Sequence, residues 1–231
     1  MNIIVNGASR GIGRALVLRM SADKDNQILT TGRNESMLRE LQMECLNGNV
    51  SYMKMDITEM NKEIAVIRDQ IFNRFSRVDI LINMTGSLIV SDFMKLPDND
   101  SRNMMETNFF GPVNLIKLVV PLMPAGSHIV NISSMGGFQG SSKYRGLAVY
   151  SASKAALSCF SECLAVELNE SGISVNCLAL GSVQTGMFEN AFPGFKAPVS
   201  PEGMAEFISY FAIHGNKFFN GKVLPVAVNN P

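Results

Sequence analysis

Two side chains that could move a proton, Tyr150 and Lys154, stand four residues apart at the start of a long predicted helix. Residues at this spacing share one helix face, so the phenol and the ammonium can meet in one pocket. Two unit charges about 4 Å apart at an effective dielectric of about 20 interact by about 4 kcal/mol, or roughly three pKa units. The lysine is therefore predicted to lower the pKa of Tyr150 toward neutrality, where a phenol exchanges protons with a substrate oxygen. Outside a pocket, the same pair would be an ordinary helix-face contact.

A glycine-rich turn follows the first predicted strand and leads into a helix. It reads Asn6-Gly7-Ala8-Ser9-Arg10-Gly11-Ile12-Gly13. Glycine lets a backbone approach a pyrophosphate closely, and the free N–H groups of a helix N-terminus favour its negative charge. The turn is predicted to bind a dinucleotide, with contacts from Gly7, Ser9, Arg10, Gly11, Ile12 and Gly13. The spacing departs from the usual Gly-x-Gly-x-x-Gly, and the alternative is a turn that only packs the helix on the strand.

Short β-branched runs alternate with longer amphipathic segments along the whole chain, a pattern typical of βαβ units and a parallel sheet. About seven strands and six helices are predicted, which suits one doubly wound α/β domain over residues 1–231 with helices on both faces of the sheet. The predicted strands are 3–5, 28–30, 50–55, 78–82, 129–132, 173–176 and 222–228, and the predicted helices are 15–20, 37–46, 64–75, 104–122, 149–169 and 203–213.

The segment 181–201 is the irregular part of the pattern, with three glycines, three prolines and three phenylalanines. This composition is typical of a mobile lid with apolar faces. It fits equally well a surface loop held by a few buried rings.

Composition limits the partners that the chain can have. Its 20 basic and 20 acidic residues cancel, so no net charge attracts nucleic acid or an anionic membrane. Apolar runs end well short of the ~20 residues of a membrane helix. The first residues also lack the pattern of a secretory signal, and a cytoplasmic protein is expected.

The four cysteines do not show the paired short spacings of a zinc site, and no metal is predicted. Reduced thiols are expected, because a chain of this size folds without disulfides. Cys159 and Cys163, four apart on a predicted helix, are interpreted as small packing residues rather than redox or metal groups.

Further motifs connect these features. Ile132-Ser133-Ser134 ends the fifth strand, Asn83-Met84-Thr85-Gly86 follows the fourth, and Asn108 lies on the fourth helix. With the glycine turn and the Tyr-x-x-x-Lys pair, they resemble the short-chain dehydrogenase/reductase family over essentially the whole chain. The resemblance implies a Rossmann-type domain and a catalytic set of Ser134, Tyr150, Lys154 and Asn108.

The resemblance also implies contacts with a nicotinamide dinucleotide. Asp56 and Ile57 would lie beside the adenine, Asn83 and Gly86 along the ribose side, and Gly181, Val183 and Thr185 near the nicotinamide. Asn108 would bind a water that connects Lys154 to solvent, and Ser133 would replace Ser134 if the register slipped by one residue. A homodimer or homotetramer is the family's usual assembly.

The end of the second strand bears on cofactor choice. Enzymes that prefer NAD usually place an acidic residue there for the ribose hydroxyls. Here the strand ends Thr30-Thr31-Gly32-Arg33. Arg33, with Arg10 in the glycine turn, offers a guanidinium that can bind a 2′-phosphate in a bidentate way. The prediction is NADP(H) rather than NAD(H).

Together these residues predict an NADPH-dependent reductase of a carbonyl, or the reverse alcohol dehydrogenase, acting on a small and fairly apolar molecule. A reductase of 3-oxoacyl groups on an acyl carrier is the alternative within the enzyme class. A non-catalytic nucleotide-sensing protein is the alternative outside it. Tyr144 is a rival proton donor, but position 148 is alanine and supplies no lysine one turn later.

Overall fold

The computed structural model describes residues 1–228, and the last three residues of the predicted domain lie outside them. Within this range seven strands pair in parallel, in the spatial order β3-β2-β1-β4-β5-β6-β7. This is the predicted doubly wound sheet. The strands are β1 (Asn2–Asn6), β2 (Gln27–Gly32), β3 (Val50–Lys54), β4 (Ile80–Asn83), β5 (His128–Ser134), β6 (Ser174–Leu180) and β7 (Val223–Val226).

Eight α-helices connect the strands of residues 1–228, two more than predicted. The predicted helix 104–122 is two helices joined by a π-helical turn, Glu106–Phe110. A short helix also lies inside the segment 181–201, which is therefore not wholly irregular. The helices are α1 (Gly11–Ser21), α2 (Glu35–Glu44), α3 (Ile64–Arg74), α4 (Asp98–Met105), α5 (Gly111–Val119), α6 (Ala148–Glu167), α7 (Gly186–Ala191) and α8 (Pro201–His214).

The core has two layers because successive strand residues point to opposite faces of the sheet. In β1, Ile3 and Val5 pack in the layer of α1 and α8, while Ile4 packs in the layer of α3 and α5. All three side chains are fully buried, and each contributes about 1.5 to 3 kcal/mol of burial free energy. The two layers fix the sheet between its helices, so the carboxyl ends of the strands form a rigid edge.

The thiols divide between core and surface. Cys45 and Cys177 are buried, whereas Cys159 and Cys163 are exposed on α6. The face of α6 that carries Cys159 and Cys163 is open to solvent in the single chain, so these two residues do not pack in the core of the domain. No helix of residues 1–228 has the length and apolar character needed to cross a bilayer.

A row of buried polar side chains crosses the sheet just below its carboxyl edge. Thr31 Oγ1 donates to Asn6 Oδ1 at 2.9 Å, Asn6 Nδ2 to Asn83 Oδ1 at 3.3 Å, and Asn83 Nδ2 to Asn131 Oδ1 at 2.8 Å. Asn131 Nδ2 then donates to Ser161 Oγ on α6 at 2.9 Å. Each strand pair is in register at these residues, so the row fixes four strand ends and one helix relative to each other.

His128 lies at the opposite edge of the sheet and is 1% exposed. Its Nδ1 lies 3.0 Å from the Ala212 carbonyl oxygen and its Nε2 lies 3.0 Å from Asn176 Nδ2. A carbonyl only accepts and an amide nitrogen only donates, so the ring is the neutral tautomer with its proton on Nδ1. Burial lowers the pKa of His128 from 6.5 to about 4.

This lowered pKa predicts acid sensitivity of the fold. The unfolded chain takes up a proton on His128 near pH 6.5 and the folded chain only near pH 4, so stability is retained above pH 6.5 and lost as the pH falls between these values. The loss amounts to about 3 kcal/mol of unfolding free energy. Urea unfolding of wild type and His128→Gln at neutral pH and near pH 4.5 measures it. The variant should show a shallower fall, and equal slopes in both proteins would contradict the assignment.

Candidate active site

The glycine turn has the geometry of an anion site. Gly7 and Gly11 have φ of +95° and +58°, which side-chain-bearing residues rarely adopt. A Cβ on Gly13 would lie 2.3 Å from the Gly7 carbonyl oxygen, so only glycine fits there. Helix α1 begins at Gly11, and among the described residues no side chain caps its N-terminus. Its first N–H groups are thus available to an anion.

A cleft of about 510 Å³ runs from this turn along the carboxyl edge of the sheet. Three of the four predicted catalytic residues line it, as do most residues predicted to bind the cofactor; Asn83 and Asn108 do not. The predicted site residues that line the cleft are Gly7, Ser9, Arg10, Gly11, Ile12, Gly13, Arg33, Asp56, Ile57, Gly86, Ser134, Tyr150, Lys154, Gly181, Val183 and Thr185. Their roles toward a cofactor remain predictions.

Lys154, the seventh residue of α6, lines the cleft. The residue is 4% exposed, and its Nζ donates to the carbonyl oxygens of Ile132 at 2.9 Å and Thr85 at 3.3 Å. Removal from water penalises the charged form, and burial lowers the pKa of Lys154 to about 8. The amine is therefore mostly protonated at neutral pH and close to its titration point.

Tyr150 differs from the expectation drawn from the sequence. Burial raises the pKa of its phenol above 10.0, and a hydrogen bond with Ser134 offsets this only in part. The predicted lowering by Lys154 is wrong for this structure, because the lysine Nζ is directed to two backbone carbonyls and the cost of burying a phenolate dominates. The phenol consequently keeps its proton at neutral pH.

The two strand-end serines have separate tasks. Ser134 lines the cleft and accepts a hydrogen bond from the Gly136 N–H at 3.1 Å, which fixes its hydroxyl near Tyr150. Ser133 instead donates to the Lys154 carbonyl oxygen at 2.8 Å and accepts from Ser158 Oγ at 2.9 Å. Ser133 also lines the cleft, but its hydroxyl is engaged between β5 and α6. The role of Ser134 toward a substrate stays a prediction.

Asn108 lies in the π-helical turn and is fully buried. Its Oδ1 accepts from the Ser87 N–H at 2.7 Å, and its Nδ2 donates to the Ser87 carbonyl at 2.9 Å and to Ser153 Oγ at 2.8 Å. The side chain thus joins the turn after β4 to α6. Its predicted water-binding role stays a prediction.

Asn83 was predicted to lie along a ribose, and the structure directs its side chain elsewhere. The residue is 1% exposed and bonds Asn131 and Asn6 within the polar row. Sequence reasoning missed this row because each bond joins residues at least 25 positions apart. Spacing along the chain gives no signal of such pairs.

The end of the cleft near the second strand carries the two arginines. Arg10 and Arg33 are both exposed and both line it. Within residues 1–228 neither forms an ion pair with a carboxylate. Asp56, on the same wall, accepts hydrogen bonds from the N–H and Oγ1 of Thr58 at 3.0 and 2.8 Å. Two guanidinium groups thus remain for an anionic ligand.

The other end of the cleft is apolar. Thr185 caps α7 by accepting from the Phe188 N–H at 3.3 Å, which places α7 over the cleft. Phe195, one of the aromatics of the irregular segment, is 70% exposed and does not line it. The apolar lining residues here are Leu88, Met135, Leu147, Met187, Phe188 and Phe192.

Comparison with known proteins identifies the class. A family model described as short chain dehydrogenase matches residues 1–194. A fatty acyl-CoA reductase of Acinetobacter baylyi is 32% identical, with 90% of this chain and 71% of that protein covered. Mouse L-fucose dehydrogenase is 31% identical, with 81% and 67% covered. The chain therefore belongs to the short-chain dehydrogenase/reductase family of oxidoreductases.

Solved structures agree on the fold. A short-chain dehydrogenase of Burkholderia cenocepacia in complex with NADP superposes with a TM-score of 0.85 at 22% identity, covering 97% of this chain and 95% of that one. A dehydrogenase/reductase of Sinorhizobium meliloti gives 0.82 at 25% identity, covering 97% and 92%. Both carry the same single-domain sheet, which confirms the predicted fold class.

Gly13→Ala tests the glycine turn. The new Cβ must move the Gly7 carbonyl, and overpacking of this kind costs about 1 to 3 kcal/mol. The variant should melt at a lower temperature and lose dinucleotide binding in a fluorescence titration. Gly203→Ala in α8 is the matched control, since its Cβ meets its nearest atom at 3.4 Å. Wild-type dinucleotide affinity in Gly13→Ala would show that the turn does not bind phosphate.

Proposed function

We propose that this protein is an NADPH-dependent reductase of small, apolar ketones or aldehydes, able to oxidise the corresponding alcohols in reverse. One observation carries the proposal. A protonated phenol, Tyr150, with Ser134 beside it and the buried Lys154 ammonium, shares a single cleft with the glycine turn. Proton donor, cation and dinucleotide turn are the parts that carbonyl reduction needs.

The cleft fits a nicotinamide dinucleotide in its donor set. Gly7 and Gly13 leave space that a Cβ would fill, and the N–H groups at the start of α1 suit a pyrophosphate. Gly181, Val183 and Thr185 would hold the nicotinamide half, with Asp56 and Ile57 at the adenine. When bound, the reduced nicotinamide supplies a hydride to the carbonyl carbon.

The chain's own residues handle the oxygen of the substrate. Ser134 donates a hydrogen bond to it, and Tyr150 transfers its proton to the same oxygen as negative charge develops there. The Lys154 amine, whose pKa of about 8 keeps it protonated at neutral pH, supplies a positive charge to the same cleft. Solvent then returns the proton to Tyr150.

The apolar end of the cleft supports an uncharged substrate. Among the lining residues of that end, Phe188, Met187 and Leu88 offer no charge to bind a carboxylate or phosphate. Closing such a lining around a ketone excludes water and strengthens the hydrogen bonds of Ser134 and Tyr150. We propose that the segment 181–201, with α7 in it, performs this closure.

The choice of NADPH rests on charge. Arg10 and Arg33 stand at the ribose end, and a 2′-phosphate gives each a partner for charge-assisted hydrogen bonds. β2 ends in Gly32 with no acidic residue to bind a free 2′-hydroxyl. We further propose a cytoplasmic homodimer or homotetramer, as in the family.

A second candidate is reduction of an acyl chain on a carrier. The apolar lining and the resemblance to a fatty acyl-CoA reductase favour it. A panel with free ketones in one arm and 3-oxoacyl thioesters in the other separates the two functions. A non-catalytic nucleotide sensor is disfavoured by the retained Ser134, Tyr150 and Lys154, and it would bind NADPH without consuming it in either arm.

Tyr150→Phe removes the proton donor while keeping the ring. We expect kcat for a ketone to fall about 100-fold or more, since general acid catalysis contributes about 10² to 10⁴. The fall in NADPH absorbance measures it. NADPH affinity should stay within a few-fold of wild type, and Tyr210→Phe, at an exposed tyrosine of α8 outside the cleft lining, serves as the control with turnover of the wild-type order. Undiminished turnover in Tyr150→Phe would refute the proposed mechanism.

Arg33→Ala tests the cofactor preference. Hydrogen bonds to a charged group lose about 10- to 100-fold in affinity when one partner is removed. The Kd for NADPH should therefore rise by about this factor, whereas the Kd for NADH should hardly change. Isothermal calorimetry measures the Kd of each cofactor in wild type and in Arg33→Ala. The same measurement on Arg10→Ala tests the second arginine. A parallel loss for both cofactors would contradict recognition of the 2′-phosphate.

A further inference from the structure

Two loops meet beside the apolar end of the cleft. The first, here the front loop (residues 88–92), follows β4, and the second, the long loop (residues 135–147), joins β5 to α6. Leu88 of the front loop and Tyr144 and Leu147 of the long loop all line the cleft. The spacing of the two loops therefore sets the width of this part of the pocket.

An ion pair joins the loops on the outside. Arg145 Nε lies 2.6 Å from Asp92 Oδ1, and Arg145 Nη2 lies 2.8 Å from Asp92 Oδ2. This is the bidentate arrangement, in which a planar guanidinium fixes direction as well as distance. Arg145 follows Tyr144 directly in the chain, so the ion pair restrains the backbone next to Tyr144, which lines the cleft.

The backbone brings the same two loops together. The Ser91 N–H donates to the Gly146 carbonyl oxygen at 3.1 Å. Gly146 has φ of +84°, and a Cβ on it would lie 2.9 Å from Val90 Cγ1. Only glycine permits this close approach, so the contact between the two loops requires Gly146.

The rest of the long loop is tied to itself. Ser141 Oγ donates to the Phe138 carbonyl at 2.9 Å, and Lys143 Nζ donates to the same carbonyl at 2.6 Å. The last residues of the long loop contact the front loop instead, through Arg145 and Gly146. The chain then enters α6 at Ala148, two residues before Tyr150. Release from the front loop would let Tyr144 and Leu147 move as one wall.

We propose that the Asp92–Arg145 ion pair is a clamp that fixes the wall carrying Tyr144 and Leu147 and so determines which substrates fit. The two residues are positioning residues, because neither lines the cleft. Exposed ion pairs contribute little to global stability, and the benefit of this one lies in loop geometry. Arg145 also holds the pKa of Asp92 below its usual value, so the clamp stays ionised at neutral pH.

Asp92→Asn and Arg145→Gln each remove one charge of the clamp while keeping a polar side chain. Hydrogen exchange of the amides in residues 139–147 should become about two- to fivefold faster in both, as expected for the loss of one exposed pair. The control is Arg68→Gln, which breaks the exposed Arg68–Asp69 pair of α3, away from the cleft. It should leave exchange in the long loop unchanged. Wild-type exchange in Asp92→Asn would overturn the clamp.

The specificity part rests on the proposed function and has its own readout. The ratio of kcat/KM for a small ketone to that for a bulky aryl ketone should fall by about the same two- to fivefold factor in both variants. NADPH affinity and melting temperature should not change, which separates pocket geometry from unfolding. The charge-reversed pair, Asp92→Arg with Arg145→Asp, should recover at least half of the lost selectivity.

Outcomes of the two readouts are distinct. Faster exchange with an unchanged ketone ratio would overturn the specificity claim. A wild-type protein that reduces no carbonyl would overturn the proposed function, and the exchange of residues 139–147 would still decide whether the clamp exists. An equal loss of NADPH affinity in Asp92→Asn would also count against it, because a clamp at the substrate end leaves the dinucleotide turn untouched.

Discussion

The arrangement of the cleft depends on one buried ammonium, that of Lys154. A charge removed from water costs several kcal/mol unless acceptors surround it, and here the acceptors are the carbonyls of Ile132 and Thr85. One carbonyl belongs to β5 and the other to the turn after β4. The lysine therefore tolerates its site only while these two strand ends and α6 keep their relative positions.

Side-chain hydrogen bonds between β5 and α6 maintain those positions. Asn131, on one side of Ile132, bonds Ser161, and Ser133, on the other side, bonds the Lys154 carbonyl and Ser158. The face of α6 toward the sheet thus carries hydroxyl groups where an ordinary amphipathic helix carries aliphatic residues. Aliphatic packing would also bury this face of α6. Directional hydrogen bonds, however, fix the position of α6 along β5 more strictly than aliphatic contacts would.

The sequence predicts this molecule best where the physics is local. Hydrophobic periods of two and 3.6 predict the strands and helices, and the order of strand, glycine turn and helix at residues 2–21 is also found in the structure. The π-helical turn at Asn108 escapes such reasoning because it departs from the period of 3.6 residues, and the polar row through Asn83 escapes it because its partners lie far along the chain. The pKa of Tyr150 escapes it for a related reason: a spacing of four residues shows proximity on a helix but not that the Lys154 amine turns to backbone carbonyls.

Burial shifts the pKa values of Tyr150 and Lys154 in opposite directions. It raises the pKa of Tyr150 above 10.0 and lowers that of Lys154 to about 8, so the amine loses its proton before the phenol does. Below pH 8 the cleft thus holds a protonated phenol and a cation, the state that the proposed reduction requires. Alcohol oxidation would begin from the phenolate, which the raised pKa of Tyr150 disfavours at neutral pH. These protonation states set the pH range of each half of the proposed reaction, whereas the supply of reduced or oxidised cofactor sets its direction.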